Sequence, residues 1–214
     1  MLRYACRPGL LALKTPVFRR SISGVSESWK GIFPEVKRPR VYLDFTLEGY
    51  PAGSVVIELF SDIVPKAAEN FRCLCTGERG EHLWFKNTKI SHMMFGVYMV
   101  GGDIHHGGSS GGESIYGPRF LDENYIVQHQ HAGIVGMINC GAPHTNASQF
   151  YITISPAPFM DGKNVGIGQV VEGLDVVKKI VRVAGVPEVK SGLLSRVAGS
   201  RKPVLIESCG QLDT

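Results

Sequence analysis

Apolar side chains in this chain come in short runs broken by glycine and turn residues, and that spacing most restricts its fold. Val41, Leu43, Phe45 and Leu47 alternate with Tyr42, Asp44, Thr46 and Glu48, the period-two pattern of a half-buried strand. Gly49-Tyr50-Pro51-Ala52-Gly53 reads as a turn, and Val55 to Phe60 as the returning hairpin partner. Further apolar runs lie at Met93–Val100, Gly133–Ile138, Phe150–Ile154 and Val165–Val171, with Val204 to Ser208 as a closing strand. Two segments read as helices instead. Pro65 suits a first helical turn, Ala68, Phe71 and Leu74 share a face, and Gly77 follows as a stop. Leu174, Val177 and Val181 line one side of a second helix, from about Leu174 to Val183. Many short strands and two helices predict an all-β fold, a closed antiparallel barrel with helical caps. Pattern alone leaves a β-sandwich open.

Charge is distributed unevenly. Of 23 Lys and Arg, five (Arg3, Arg7, Lys14, Arg19 and Arg20) precede the first acid, Glu27, leaving 18 against 19 Asp and Glu. The body therefore carries no basic excess to neutralise phosphates, which argues against a nucleic-acid partner. Residues 1–26 are rich in Arg and Ser and free of acids, as a mitochondrial transit peptide is. A helix there gathers Leu2, Cys6, Leu10, Leu13 and Val17 on one side, although Pro8 and Pro16 interrupt it. A secretory signal fits less well, because Gly9-Leu10-Leu11-Ala12-Leu13 is short and Lys14 ends it. The expected address is the mitochondrial matrix; a tail with no address, on a cytoplasmic protein, is the alternative. No run approaches the ~20 apolar residues of a membrane span. Five cysteines, with Cys73 and Cys75 two apart in a helix and Cys140 and Cys209 isolated, do not make a disulfide framework.

The chain resembles the cyclophilin family of peptidyl-prolyl cis-trans isomerases. The residues that carry the likeness are Pro65-Lys66-Ala67-Ala68-Glu69-Asn70-Phe71-Arg72, Cys75-Thr76-Gly77-Glu78 and Gly101-Gly102-Asp103. Glu113-Ser114-Ile115-Tyr116-Gly117, Asp122-Glu123-Asn124, Ser148-Gln149-Phe150-Tyr151 and Asp161-Gly162-Lys163 follow in the family's order. The resemblance implies an eight-stranded barrel plugged by two helices. With the leader read from composition (1–26), it divides the rest of the chain into an N-terminal arm (27–39) and the barrel domain (40–213). It also implies a role in assisted protein folding, with proline-containing polypeptide segments as partners.

One segment departs from the family. Before Gly101-Gly102-Asp103, cyclophilins read Phe-His-Arg-Ile-Ile-Pro-Gly-Phe-Met-x-Gln, whereas this chain reads Ile90-Ser91-His92-Met93-Met94-Phe95-Gly96-Val97-Tyr98-Met99-Val100. Prolyl isomerisation needs no acid, base, metal or cofactor. It needs an apolar seat for the ring, a grip on the backbone, and a donor toward the imide nitrogen as the C–N bond twists. In the family that donor is an arginine, always charged and fork-shaped. His92 stands at its position with a shorter reach, and an ordinary imidazole is largely neutral above pH ~7. Losing one such donor lowers a rate by ~10²–10³ in a comparable setting.

By the same resemblance, Val97 and Tyr98 replace the Phe and Met of the proline pocket, and Val100 replaces a glutamine that orients the substrate. Ile138-Asn139 matches the pair whose backbone binds peptide. Gln149 is retained, Tyr151 replaces a phenylalanine, Phe159-Met160 stands for Trp-Leu, and Asn164 replaces a histidine. The groove floor is retained, the pocket is reshaped, and the polar apparatus is mostly lost. The resemblance therefore implies a peptide-binding protein with weak or lost isomerase activity; an active isomerase using a modified site is the alternative. Asn139 and Gln149 serve either peptide binding or their own loop amides. Cyclosporin is expected to bind weakly or not at all, because Phe159 lacks the indole N–H. His105-His106, His129 and His131, with His92 and His144, raise a metal reading, but no HExxH or CxxC accompanies them. No metal is expected. The 26–39 arm, with Trp29, Ile32 and Phe33, and the long 185–202 connection, with Leu193-Leu194, are either packed surface or contacts to a larger mitochondrial assembly.

Overall fold

The computed structural model describes residues 37–105, 112–139, 141–185, 197–199 and 202–213. The leader, nearly all of the arm and most of the 185–202 connection lie outside the described residues. Chain order runs β1 (Arg40–Leu47), β2 (Tyr50–Leu59), α1 (Pro65–Thr76), β3 (His92–Met94), β4 (Tyr98–Gly101), β5 (Ile134–Met137) and β6 (Phe150–Thr153). A 3-10 turn over Pro158–Met160 precedes β7 (Gly166–Glu172), α2 (Leu174–Ala184), β8 (Val197–Gly199) and β9 (Val204–Leu212). The strands form one sheet in the order β8-β3-β4-β6-β5-β7-β2-β1-β9, with every pairing antiparallel.

The ends of that order meet. Asn87 N–H donates to the Ile206 carbonyl at 2.7 Å, Ile206 N–H to Thr88 at 2.9 Å, and Ile90 N–H to Val204 at 3.0 Å. The segment entering β3 is thereby tied to β9. Eight strands, β1 to β7 and β9, curl into the expected barrel-like sheet with its two helices. β8 is a further three-residue strand laid along β3. It places part of the long connection, read from sequence as a loop, directly beside His92.

Two local expectations shift. The first turn is the pair Glu48-Gly49, both at positive φ (54° and 82°), a geometry that matches the strand twist of a tight hairpin. Tyr50 to Gly53 already belong to β2 and pair only with β1, since β7 joins β2 from Val56 onward. Pro51 and Gly53 are therefore tolerated in a strand. The run Met93–Val100 is a hairpin, β3 and β4, closed by Val97 N–H to the Met94 carbonyl at 2.9 Å.

The inner face is apolar throughout. Val41, Leu43 and Phe45 of β1 and Val55, Ile57 and Leu59 of β2 are buried in one core with Met93, Met99, Phe150, Ile152 and Ile167. α1 packs on β9 and β1, and α2 on β2. The α1 ring of Phe71 meets Phe85 and Phe150 with centroids 5.2 and 5.1 Å away, a tilted arrangement that aromatic quadrupoles favour. Pro65 opens α1 and the Gly77 N–H closes it on the Cys73 carbonyl, as the sequence predicts. Cys73, Cys75 and Cys209 are buried free thiols. Among the described residues no helix is long and apolar enough to cross a membrane.

Candidate functional site

Strand alternation decides which side chains can reach a ligand. On β3, Met93 is buried in the core while His92 is exposed on the outer face. The sheet register then sets His92 opposite Val100, Val100 opposite Tyr151, and Tyr151 opposite Gly136. One step along, Met94 faces Tyr98 and Tyr98 faces Thr153. An outer row of strand neighbours thus joins the arginine-matched position to the pocket residues.

Those residues form a second apolar cluster, separate from the core. Val100, Tyr151, Ala157 and Met160 are buried in it, and Val97, Tyr98 and Ile138 pack against it half-buried. Six positions picked out in the sequence therefore gather in one place: Val97, Tyr98, Val100, Ile138, Tyr151 and Met160. Phe159 stands at the rim, 52% exposed, and Phe95 in the β3–β4 turn is 47% exposed. The other expected contacts are placed as follows. The Ile138 N–H donates to the Gln149 carbonyl at 2.9 Å, so both border one groove. The Asn139 amide donates to the Lys163 carbonyl at 2.8 Å and the Asn164 amide to the Met137 carbonyl at 3.1 Å. Both side-chain amides thus bond loop or strand carbonyls. Ser91 turns back on the Val100 carbonyl through its N–H at 2.9 Å.

Beneath the cluster lies a polar chain that pattern reading missed. Tyr151 and His129 are both fully buried. His129 Nε2 lies 2.6 Å from the Tyr151 hydroxyl and His129 Nδ1 2.7 Å from Asp161 Oδ1. Asp161 Oδ1 also accepts the His129 backbone N–H at 2.8 Å. A carboxylate accepts only, so Nδ1 carries the proton toward Asp161 and Nε2 accepts the Tyr151 O–H. Burial pushes the Tyr151 phenol well above its ordinary pKa, which keeps that O–H intact. The hydroxyl fits because position 136 is glycine: a Cβ there would clash with it. The His129 backbone carbonyl also accepts the Ala157 N–H at 2.8 Å, so one residue ties the pocket floor to the segment carrying Phe159 and Met160. The available signal was the pairing of Tyr151 with a glycine in the facing strand.

Among the described residues no histidine belongs to a group with metal-ligand spacing. His129 is held by Tyr151 and Asp161, His144 lies 3.4 Å from Asp122, and His105 lies 3.9 Å from Glu113; His106 lies outside the described residues. One group with metal-ligand spacing occurs among the described residues, Glu69, Cys73 and Glu78. The Arg72 guanidinium already lies 2.8 and 2.7 Å from its two carboxylates, and burial raises the Cys73 thiol to about 11. That group is an ion-pair network around a protonated thiol.

A family model described as cyclophilin type peptidyl-prolyl cis-trans isomerase/CLD matches residues 42–211, well over half of the chain.

Proposed function

The chain belongs to the cyclophilin-type peptidyl-prolyl cis-trans isomerase family, and from that premise we infer a protein that binds proline-containing peptide segments while isomerising them weakly or not at all. The observation that carries this reading is the outer apolar cluster with an exposed His92, not an arginine, at its edge. The cluster offers a seat for a proline ring, and the neighbouring Ile138–Gln149 border offers backbone. What it lacks is a charged, forked donor to lower a rotational barrier of about 18–20 kcal/mol. Binding survives such a loss more readily than rate, since the donor acts on the twisted state rather than on the resting peptide.

A protease-coupled isomerisation assay on the full chain tests this. Turnover within about tenfold of an arginine-bearing homologue would overturn the impairment and favour the second reading, an active isomerase with a modified site. That second reading draws on the apolar pocket, reshaped but present, and on Gln149. Weak or absent cyclosporin binding belongs to the first reading, because the exposed Phe159 has no donor to offer; a tight calorimetric complex would count against it.

The proposed address is the mitochondrial matrix, supported by five positive charges and no acid before Glu27. A reporter fused to residues 1–28 that stays cytosolic would reverse it. The 26–39 arm and the 185–202 connection are the proposed contacts to a larger assembly there, and deleting either should release the protein from co-sedimenting complexes if so.

A further inference from the structure

We propose that the Tyr98 hydroxyl is a hydrogen-bond donor this pocket presents to its ligand, donating its O–H to a backbone carbonyl of a bound proline-containing peptide. The proposal rests on the peptide-binding reading above and names the residue that would read the peptide.

Two tyrosines stand side by side on the outer face, their ring centroids 6.3 Å apart and their planes tilted by 54°. Their hydroxyls are used differently. That of Tyr151 is fully buried and committed inward to His129. The ring of Tyr98 packs on the same cluster but is only half-buried, and its hydroxyl has no hydrogen-bond partner among the described residues. Its strand neighbours supply none. Met94, on one side, offers only a thioether. Thr153, on the other, is buried and accepts the Ile134 N–H at 2.9 Å, with the Ile134 carbonyl 3.3 Å away for its own hydroxyl. A phenol held by its ring against an apolar wall, with its polar end uncommitted, is a placed donor. Burial raises its pKa, so it remains an O–H at neutral pH.

The ligand's chemistry calls for such a group. A proline has no N–H, so the segment around it offers mainly carbonyl acceptors, and the pocket must supply donors. The side-chain amides of Asn139 and Asn164 are tied to Lys163 and Met137, and Tyr151 is turned inward. His92 is exposed, and no hydrogen bond among the described residues fixes its ring. Among the side chains of the apolar cluster, Tyr98 is the one whose donor is uncommitted and held in place by the pocket wall, and such preorganisation limits the ordering lost on binding.

The test is a titration of N-acetyl-Ala-Ala-Pro-Phe-amide into the full-length protein and two variants, read by calorimetry or by amide shifts alongside the thermal midpoint. Tyr98→Phe removes one oxygen and should weaken binding by roughly 3- to 10-fold, the range of one hydrogen bond, with the midpoint unchanged. Tyr50→Phe, on an exposed residue of β2, should match the wild type in both. Wild-type affinity in Tyr98→Phe would overturn the proposal while leaving the peptide-binding reading standing. A lowered midpoint in Tyr98→Phe would also overturn it, because the hydroxyl would then have an internal partner. No binding by the wild type would overturn the reading itself, and the proposal with it.

Discussion

On the inner face of β4 and β6, Met99, Phe150 and Ile152 meet Phe71 and Phe85 in an apolar core. On the outer face of the same strands, Val100 and Tyr151 bury a second, smaller cluster above a chain of hydrogen bonds. The inner face is held by volume and area, so any apolar set of the right size and period serves it. The outer face depends on particular atoms: a hydroxyl, an imidazole nitrogen, and a glycine with no Cβ. Because β3 alternates, His92 can differ from the family's arginine while Met93, its neighbour, still fills the core. An altered catalytic strand is therefore compatible with an unaltered fold.

The largest effect should come from the inner face. Phe71→Ala removes a fully buried ring in contact with two others and should destabilise by about 3–5 kcal/mol, measured by urea unfolding. A loss under about 1 kcal/mol would mean that the helix end of the core collapses freely around the gap, and that this face is not held by its packed volume.

Next comes a rate effect on the outer face. His92→Arg alone should change isomerisation little, while His92→Arg with Val97→Phe and Val100→Gln should raise it by up to ~10²-fold. The register explains the dependence. Position 100 is directly opposite position 92, so a glutamine there lies where it can aim the new guanidinium, and Val97 borders the apolar seat. A functional donor must be held within about 0.5 Å of its productive place. Equal, high activity in the unmodified protein and the triple variant would remove the distinction between a bare pocket and a catalytic one.

Tyr151→Phe probes the polar chain under that pocket. It leaves a buried His129 nitrogen without its partner, which should lower stability by about 1–3 kcal/mol. Gly136→Ala should also destabilise, since its Cβ would clash with the Tyr151 hydroxyl. In the Tyr151→Phe background the same alanine should be less harmful, giving a favourable coupling in a double-mutant cycle. Strict additivity would show that the glycine is there for another reason.

The sequence made the inner face legible because its signals are local. The alternation from Val41 to Leu47 and the Pro65 and Gly77 boundaries each fix an element without knowledge of the rest. β8 was not legible: Val197–Gly199 is three residues with no alternation, and only the open flank of β3 makes it a strand. The turn was misplaced because Pro51 and Gly53 look like breakers unless one knows that this end of β2 lacks its β7 neighbour. The pocket positions could be named by resemblance, and Val97, Tyr98, Val100, Ile138, Tyr151 and Met160 do come together. Which tyrosine is committed and which is free could not be read. That depends on His129 meeting Tyr151, 22 residues on, and Asp161, 32 residues on, a contact no periodicity encodes.

The smallest effect should lie on neither face but on the exposed end of α1. Arg72 bonds both Glu69 and Glu78. The arginine, followed by the Thr76 hydroxyl, pulls the Glu78 carboxyl down to about 2. A folded-state pKa below the unfolded value, about 4.3 for glutamate, stabilises the fold above the unfolded pKa and loses that contribution as pH falls toward 2. Glu78 remains 43% exposed, so solvent screens the pair, and a surface ion pair contributes only about 0.2–1 kcal/mol. The stability difference between wild type and Glu78→Gln should therefore be of that size at pH 7, shrink below pH ~4.5, and be nearly gone by pH ~2. A difference that stays constant with pH would mean that Glu78 acts through shape or through Thr76, not through its charge. Added salt separates this network from the buried chain: it should reduce the Glu78 difference and leave the Tyr151→Phe loss unchanged, because ions screen exposed charges and do not reach a hydroxyl sealed beneath the outer cluster.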